Sequence, residues 1–277
     1  MRTLYLYFLI VVVFASCDEP FKLDLNQTPD KVVIEGLVTD QPKMQGVKIS
    51  RSTDFYGSGK TPRVTNAVVT VTDDLGNVTS FIHNPRSHAD SSGIYVPASN
   101  FVGVIGRTYK LKVDVSGTTY EAEEKLSRVI PIDSLNYAAD NDEEEDPEIE
   151  GRFYEVLMYA REPQDEENFY LFKFYRNDSL TYNIETDIYY SDDEILAEEI
   201  NGIAAPIYYG IGDKARIEVY SISRVGFVYY NDLSGLLNND AGGMFGPIPS
   251  SPRTNLSNEA LGYFQVSAVN SAEIKLE

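Results

Sequence analysis

Thr108-Tyr109-Lys110-Leu111-Lys112-Val113-Asp114-Val115 alternates without a break: Tyr109, Leu111, Val113 and Val115 share one face, Thr108, Lys110, Lys112 and Asp114 the other. A period of two marks a half-buried strand, because successive side chains leave an extended backbone on opposite sides. Ser116-Gly117 comes next and residues 119–123 resume the extended composition, so the two runs read as a hairpin. Working towards the amino terminus, similar short runs occupy residues 94–96, 78–82, 67–72, 47–51 and 32–38. Asp73-Asp74-Leu75-Gly76-Asn77 has the composition of a tight turn between two of them. Short strands at this spacing predict a mainly β chain whose residues 31–126 form an immunoglobulin-like or transthyretin-like β-sandwich.

Working towards the carboxyl terminus, residues 127–277 read as a second β-rich domain, an open barrel or sandwich. Its runs are longer and aromatic: 153–160, 169–176, 180–190, 215–223 and 262–269. Phe169 to Tyr175 is apolar or aromatic on both faces except at Lys173, as expected of a strand packed on both sides. One segment changes period. Val225, Val228, Tyr229, Leu233, Leu236 and Leu237 fall at helical spacing behind Ser223, a natural N-cap, which predicts a single amphipathic helix. Residues 126–133, with Pro131, read as the passage between the two domains. Residues 138–151 read as an exposed acidic loop, and 239–255, rich in Gly and Pro, as a long one.

The first residues read as an address rather than a fold. Leu4 to Phe14 is an apolar or aromatic run of eleven residues after a single Arg, roughly 16 Å as a helix. A bilayer core needs about twenty residues, so the run suits a secretory signal over residues 1–16, not a durable span. It ends in Phe14-Ala15-Ser16-Cys17, which resembles a bacterial lipobox although Phe14 replaces the usual aliphatic residue. Cys17 is the chain's only cysteine and stands where lipid attachment needs a thiol. Two or more acyl chains hold stably to a bilayer. Residues 17–30, beginning Cys17-Asp18-Glu19-Pro20, then read as a lipidated tether that reaches roughly 45 Å when extended. The acidic pair after Cys17 resembles the surface-export signal of Bacteroidetes lipoproteins.

Composition narrows the function. With 23 Lys and Arg against 43 Asp and Glu, the net charge of −20 disfavours nucleic acid and anionic lipid headgroups as partners. One Cys and two His exclude intramolecular disulfides and a thiolate zinc cluster. Gly57-Ser58-Gly59-Lys60-Thr61 looks like the end of a phosphate-binding loop, but Asp54 stands where the first Gly belongs and Pro62 leads back to strand. The eight acids between Asp140 and Glu150 lack the spacing of a calcium loop. His83 and His88 are the only imidazole bases, and no Gly-x-Ser-x-Gly elbow accompanies them. No catalytic residue, metal ligand or cofactor is therefore expected. Tyr189-Tyr190, Tyr208-Tyr209 and Tyr229-Tyr230 are either sugar-stacking or interface rings, or ordinary strand aromatics with one ring on each side.

The ordered set of Cys17, the acidic tether, Val33-Ile34-Glu35-Gly36-Leu37-Val38-Thr39-Asp40, Gly106-Arg107-Thr108-Tyr109-Lys110-Leu111 and Leu261-Gly262-Tyr263-Phe264 resembles a Bacteroidetes lipoprotein family. That family is domain-of-unknown-function family 4249. Its genes commonly sit beside those of TonB-dependent outer-membrane transporters. The resemblance implies a surface lipoprotein of the outer membrane, anchored through lipid on Cys17 and serving a transporter without catalysis, with glycan or small-nutrient cargo in view. An adhesive or structural envelope lipoprotein is the alternative, and a carboxylate-dependent hydrolase a third. Asp133-Ser134-Leu135 and Asp178-Ser179-Leu180 resemble O-glycosylation acceptors of exported Bacteroidetes proteins.

Overall fold

The computed structural model describes residues 30–53, 61–83, 91–193, 198–238 and 251–277; the expected signal, Cys17 and the tether up to residue 29 lie outside them. The chain is mainly β, as its alternation predicts. Seven strands answer the seven N-terminal runs: β1 (Val32–Thr39), β2 (Gly46–Arg51), β3 (Val68–Asp73), β4 (Val78–His83), β5 (Ile94–Pro97), β6 (Thr108–Val115) and β7 (Thr118–Lys125). The alternating stretch Thr108–Val115 is β6 from end to end. Tyr109, Leu111, Val113 and Val115 are 0–3 % exposed, while Lys110 and Lys112 face solvent. Each such buried side chain contributes about 1.5–3 kcal/mol. Two turns do what their residues suggest. Asp73 Oδ1 accepts from the Leu75 and Asn77 amides at 3.0 and 2.8 Å. Ser116 and Gly117 both take positive φ, 50° and 89°, in the two-residue connection of β6 to β7, as a hairpin with the natural strand twist requires.

An eighth strand completes this sheet from far along the chain. β15 (Leu261–Ser267) lies parallel to β1, Val33 opposite Leu261 through Thr39 opposite Ser267, giving the order β15-β1-β2-β5-β4-β3-β6-β7. The sheet curls until its edges approach. Just ahead of β15, Ser257 donates its amide to the Glu121 carbonyl of β7 and its Oγ accepts from the Glu121 amide, both at 2.8 Å. Ile34, Ile49, Leu111, Leu126 and Phe264 fill the interior.

The remaining strands form two smaller sheets. β9 (Tyr154–Arg161) lies between β8 (Ile132–Ala139) and β13 (Glu199–Ala204). β10 (Phe169–Arg176) is flanked by β11 (Ser179–Leu180), β12 (Tyr189–Asp192) and β14 (Lys214–Ile222), and β14 pairs with β16 (Val269–Lys275). Val156, Met158 and Ala160 of β9 share one core with Tyr170 and Phe174 of β10 and Ile217 and Val219 of β14, so the sheets face each other. On the far side of β10, Phe169 and Leu171 join a third cluster. The strand is thus covered on both faces, as its composition predicts.

Four expectations change in detail. The passage at 126–133 runs into β8, a strand from Ile132. The run 180–190 is two short strands, β11 and β12, on either side of a turn. The run 262–269 changes sheet at Ala268, whose amide and carbonyl both bond Ser221, at 2.9 and 3.0 Å. The acidic segment holds one short helix, α1 (Asn141–Glu145), capped by Asp140.

The predicted helix is α2 (Arg224–Leu237), and the Ser223 hydroxyl accepts from the Gly226 amide at 3.1 Å. Its seating differs from the spacing: Phe227 and Tyr230 meet the third cluster, whereas Val225 and Leu237 stay 46 % and 45 % exposed. The longer rings reach the sheet first, Phe227 lying 5.2 Å from Phe169 and 5.3 Å from Tyr190 between centroids. Of the long loop, 239–250 lies outside the described residues. At its return, Arg253 forms a two-pronged pair with the nearly buried Asp232, at 2.7 and 2.8 Å.

Candidate functional site

A small cleft with an open mouth lies at one end of the second region beside α1. Its floor comes from two strand ends. Arg176 is the last residue of β10 and, by alternation, points to the same side as Tyr170 and Phe174, towards the shared core. A cation at the end of an apolar face is unusual, and this one has little company. Its Nε is buried with no hydrogen-bond partner, and its guanidinium lies 5.7 Å from the Tyr209 ring centroid. Burial and the like charge of Arg152 push its pKa down, against the opposing charge of Asp213.

Arg152 enters from the turn before β9, where its amide bonds the Ile149 carbonyl at 3.0 Å. Its nearest carboxylate is Asp213, 4.0 Å from Nε. Asp213 is already engaged by the Asn177 amide group at 2.7 Å and the Gly210 amide at 2.9 Å. The approach is close: a Cβ at Gly210 would meet the Gly151 carbonyl oxygen at 2.6 Å. Tyr208, Tyr182 and Asn183 form the walls.

Across the mouth stands α1. Asp140 caps it and also accepts from the Tyr208 hydroxyl at 2.8 Å. That bond to a carboxylate pushes the Tyr208 phenol up to about 12 and holds Asp140 below the usual range. Glu143 accepts from the Glu148 amide at 2.7 Å, and both glutamates line the cleft. The arrangement can orient a small charged molecule: two guanidiniums inside, two carboxylates at the rim, and Tyr182, Ile149 and Ile207 as apolar surface.

Three further carboxylates are buried, each among its own donors. Glu124 of β7 accepts from Tyr263, Ser223 and Asn255 at 2.6, 3.1 and 3.1 Å, tying the large sheet to the start of α2. Burial pushes its pKa up. Glu162, also raised by burial, accepts from the Tyr170 hydroxyl at 2.8 Å and from Asn168 at 3.0 Å. Glu218 holds Arg216, Tyr175 and Tyr220, with Lys173 Nζ 4.3 Å over the Tyr220 ring. These are satisfied networks within the packing.

The residues singled out by sequence are dispersed. Cys17, His88 and residues 57–60 lie outside the described residues. His83 ends β4, where its Nε2 accepts from the Gly93 amide at 2.9 Å and its ring lies against Tyr95. Pro62 returns the chain to extended structure, its carbonyl accepting from the Arg51 amide at 3.0 Å. Tyr189 and Tyr190 pack into different clusters on opposite faces of their sheet. Tyr209 is buried while Tyr208 borders the cleft. Ser134 and Ser179 are both exposed. Among the described residues, no three His, Cys, Asp or Glu side chains converge as a metal site would need. Sequence reading missed the Arg152–Arg176 pair, and no spacing between them announces it.

Comparison with known proteins adds a family to this geometry. The model of a domain of unknown function, DUF4249, matches residues 18–273. The chain belongs to that family. The DUF4249 match takes in strands of every described sheet and starts at the residue after Cys17. No curated protein matches the chain.

Proposed function

We propose that this DUF4249 protein is a lipid-anchored binding protein of the bacterial outer membrane, held on the outer face and acting without catalysis beside a TonB-dependent transporter. The observation that carries the reading is the position of Cys17. The chain's single thiol comes directly after an apolar run of signal length and small residues, and fourteen residues separate it from β1. A thiol placed for acylation is used up by it, and the chain beyond the tether is a β body with an open cleft. Anchoring two partners in one membrane raises their effective concentration without new contacts, which suits a body that presents cargo to a transporter mouth.

Metabolic labelling with a palmitate analogue tests the anchor. Wild type should carry label and sediment with outer membranes, and Cys17→Ala should lose the label. An unlabelled wild-type protein free in the medium would overturn the reading. Mild detergent extraction of the tagged protein should bring down a large outer-membrane barrel; recovery without one would remove the transporter from the proposal.

A further inference from the structure

We propose that the cleft between Arg152, Arg176 and α1 binds a small zwitterion bearing a carboxylate, a free α-amino acid or the terminal residue of a short peptide. Its carboxylate lies on the two guanidiniums and its ammonium faces Glu143 and Glu148 at the rim. Arg176 carries the inference. Among the described residues its side chain has no ion pair and no hydrogen bond, and its Nε is buried without a partner. A half-buried guanidinium with an unpartnered Nε and only a share of one carboxylate is unfavourable in a finished fold, and a carboxylate is the partner whose geometry matches a guanidinium fork.

The neighbours narrow the anion. Arg152 is close enough for its charge to work against that of Arg176, and two guanidiniums converge favourably only around negative charge. One carboxylate serves both: Asp213 lies 4.0 Å from Arg152 and its charge also acts on Arg176, so the pair keeps one positive charge uncompensated. The rim glutamates then select against phosphate-like dianions, which they repel, and in favour of a molecule carrying one charge of each sign. Tyr182 and Ile207 offer the side chain an apolar wall. The cleft would take such a ligand whether or not Cys17 is acylated.

Isothermal titration of the full chain in detergent tests this with L-leucine, glycyl-leucine, leucine amide and inorganic phosphate. At least one of the first two should bind, and tighter binding of glycyl-leucine would mark a peptide end as the ligand. Leucine amide, lacking the carboxylate, and phosphate should each bind at least tenfold more weakly. Arg176→Met should lose at least tenfold in affinity while its ligand-free melting temperature equals or exceeds that of wild type. Arg152→Gln, at a partly exposed position, should weaken binding in the same direction and serves if the first variant misfolds. No binding of either zwitterion would overturn the proposal. So would equal binding of leucine amide, tighter binding of phosphate, or affinity unchanged in both variants.

Discussion

Gly262→Ala should cost far more than the same change at Gly106, although the two glycines have nearly the same φ, +94° and +91°. A left-handed backbone costs an L-residue roughly 1–2 kcal/mol, and both variants bear that strain. Around Gly106 nothing lies within 4 Å of the added methyl. At Gly262 the methyl would fall inside the van der Waals shell of the Ile34 carbonyl oxygen, the residue opposite it in the parallel pair. That oxygen is backbone in the middle of β1, so the strands must part. Overpacking costs about 1–3 kcal/mol, and losing two ladder hydrogen bonds another 1–3 kcal/mol or so. Gly106→Ala should therefore lose about 1–2 kcal/mol and Gly262→Ala about 3–5 kcal/mol or more. With a urea slope of about 3 kcal/mol/M, the two midpoints should lie roughly 1 M apart. Urea titration monitored by tyrosine fluorescence measures both. Midpoints that coincide would mean that β1 and β15 are not packed backbone to backbone, and the eight-stranded sheet would be wrong at that seam.

Leu111→Ala in β6 should lose about 2–5 kcal/mol, and Lys112→Ala less than about 0.5 kcal/mol, both by chemical denaturation; equal losses would contradict the alternation of that strand. Glu124→Ala strands the buried Tyr263 hydroxyl and two half-buried donors, Ser223 and Asn255, and should cost about 2–4 kcal/mol. Because burial raises the pKa of Glu124, the folded form holds its proton more tightly than the unfolded chain. Its favourable contribution is then present at low pH and lost as pH rises through the raised value, so Glu124→Gln should gain on wild type as pH rises above the unfolded carboxyl value in the same titrations. Asp232 has the opposite sign: its bond to Arg253 depresses its pKa, so the pair stabilises above the unfolded carboxyl value and fades as pH falls through the folded one. Asp232→Asn should cost about 1–2 kcal/mol at pH 7, with the difference from wild type vanishing in melts at the acid end.

Much of the large sheet is legible because its strands carry their own burial pattern. β6 alternates with one face dry, and the neighbouring runs differ from the observed strands by a residue or two at their ends. β8 and β16 were not legible. Asp133, Ser134 and Asn136 in the one, and Asn270, Ser271 and Glu273 in the other, give little apolar signal; these strands are extended because β9 and β14 offer them partners. The seating of α2 was hidden for a related reason: helical spacing identifies a face but not which side chains are long enough to touch the sheet. The cleft was invisible because its chemistry lies in a missing interaction. Nothing in the aromatic run of β10 says that the arginine closing it meets a second arginine from the turn before β9.

The parallel seam between β1 and β15 sets an order of events during synthesis. Val33 pairs with Leu261, so β1, made more than two hundred residues before its partner, shows one bare edge of amides and carbonyls until residues 261–267 have been made. Such an edge templates pairing with other chains, and a contact closed across so long a loop forms slowly. A truncation before residue 261 would leave that edge permanently open, a ready-made nucleus for aggregation, even with every side chain of the other seven strands in place.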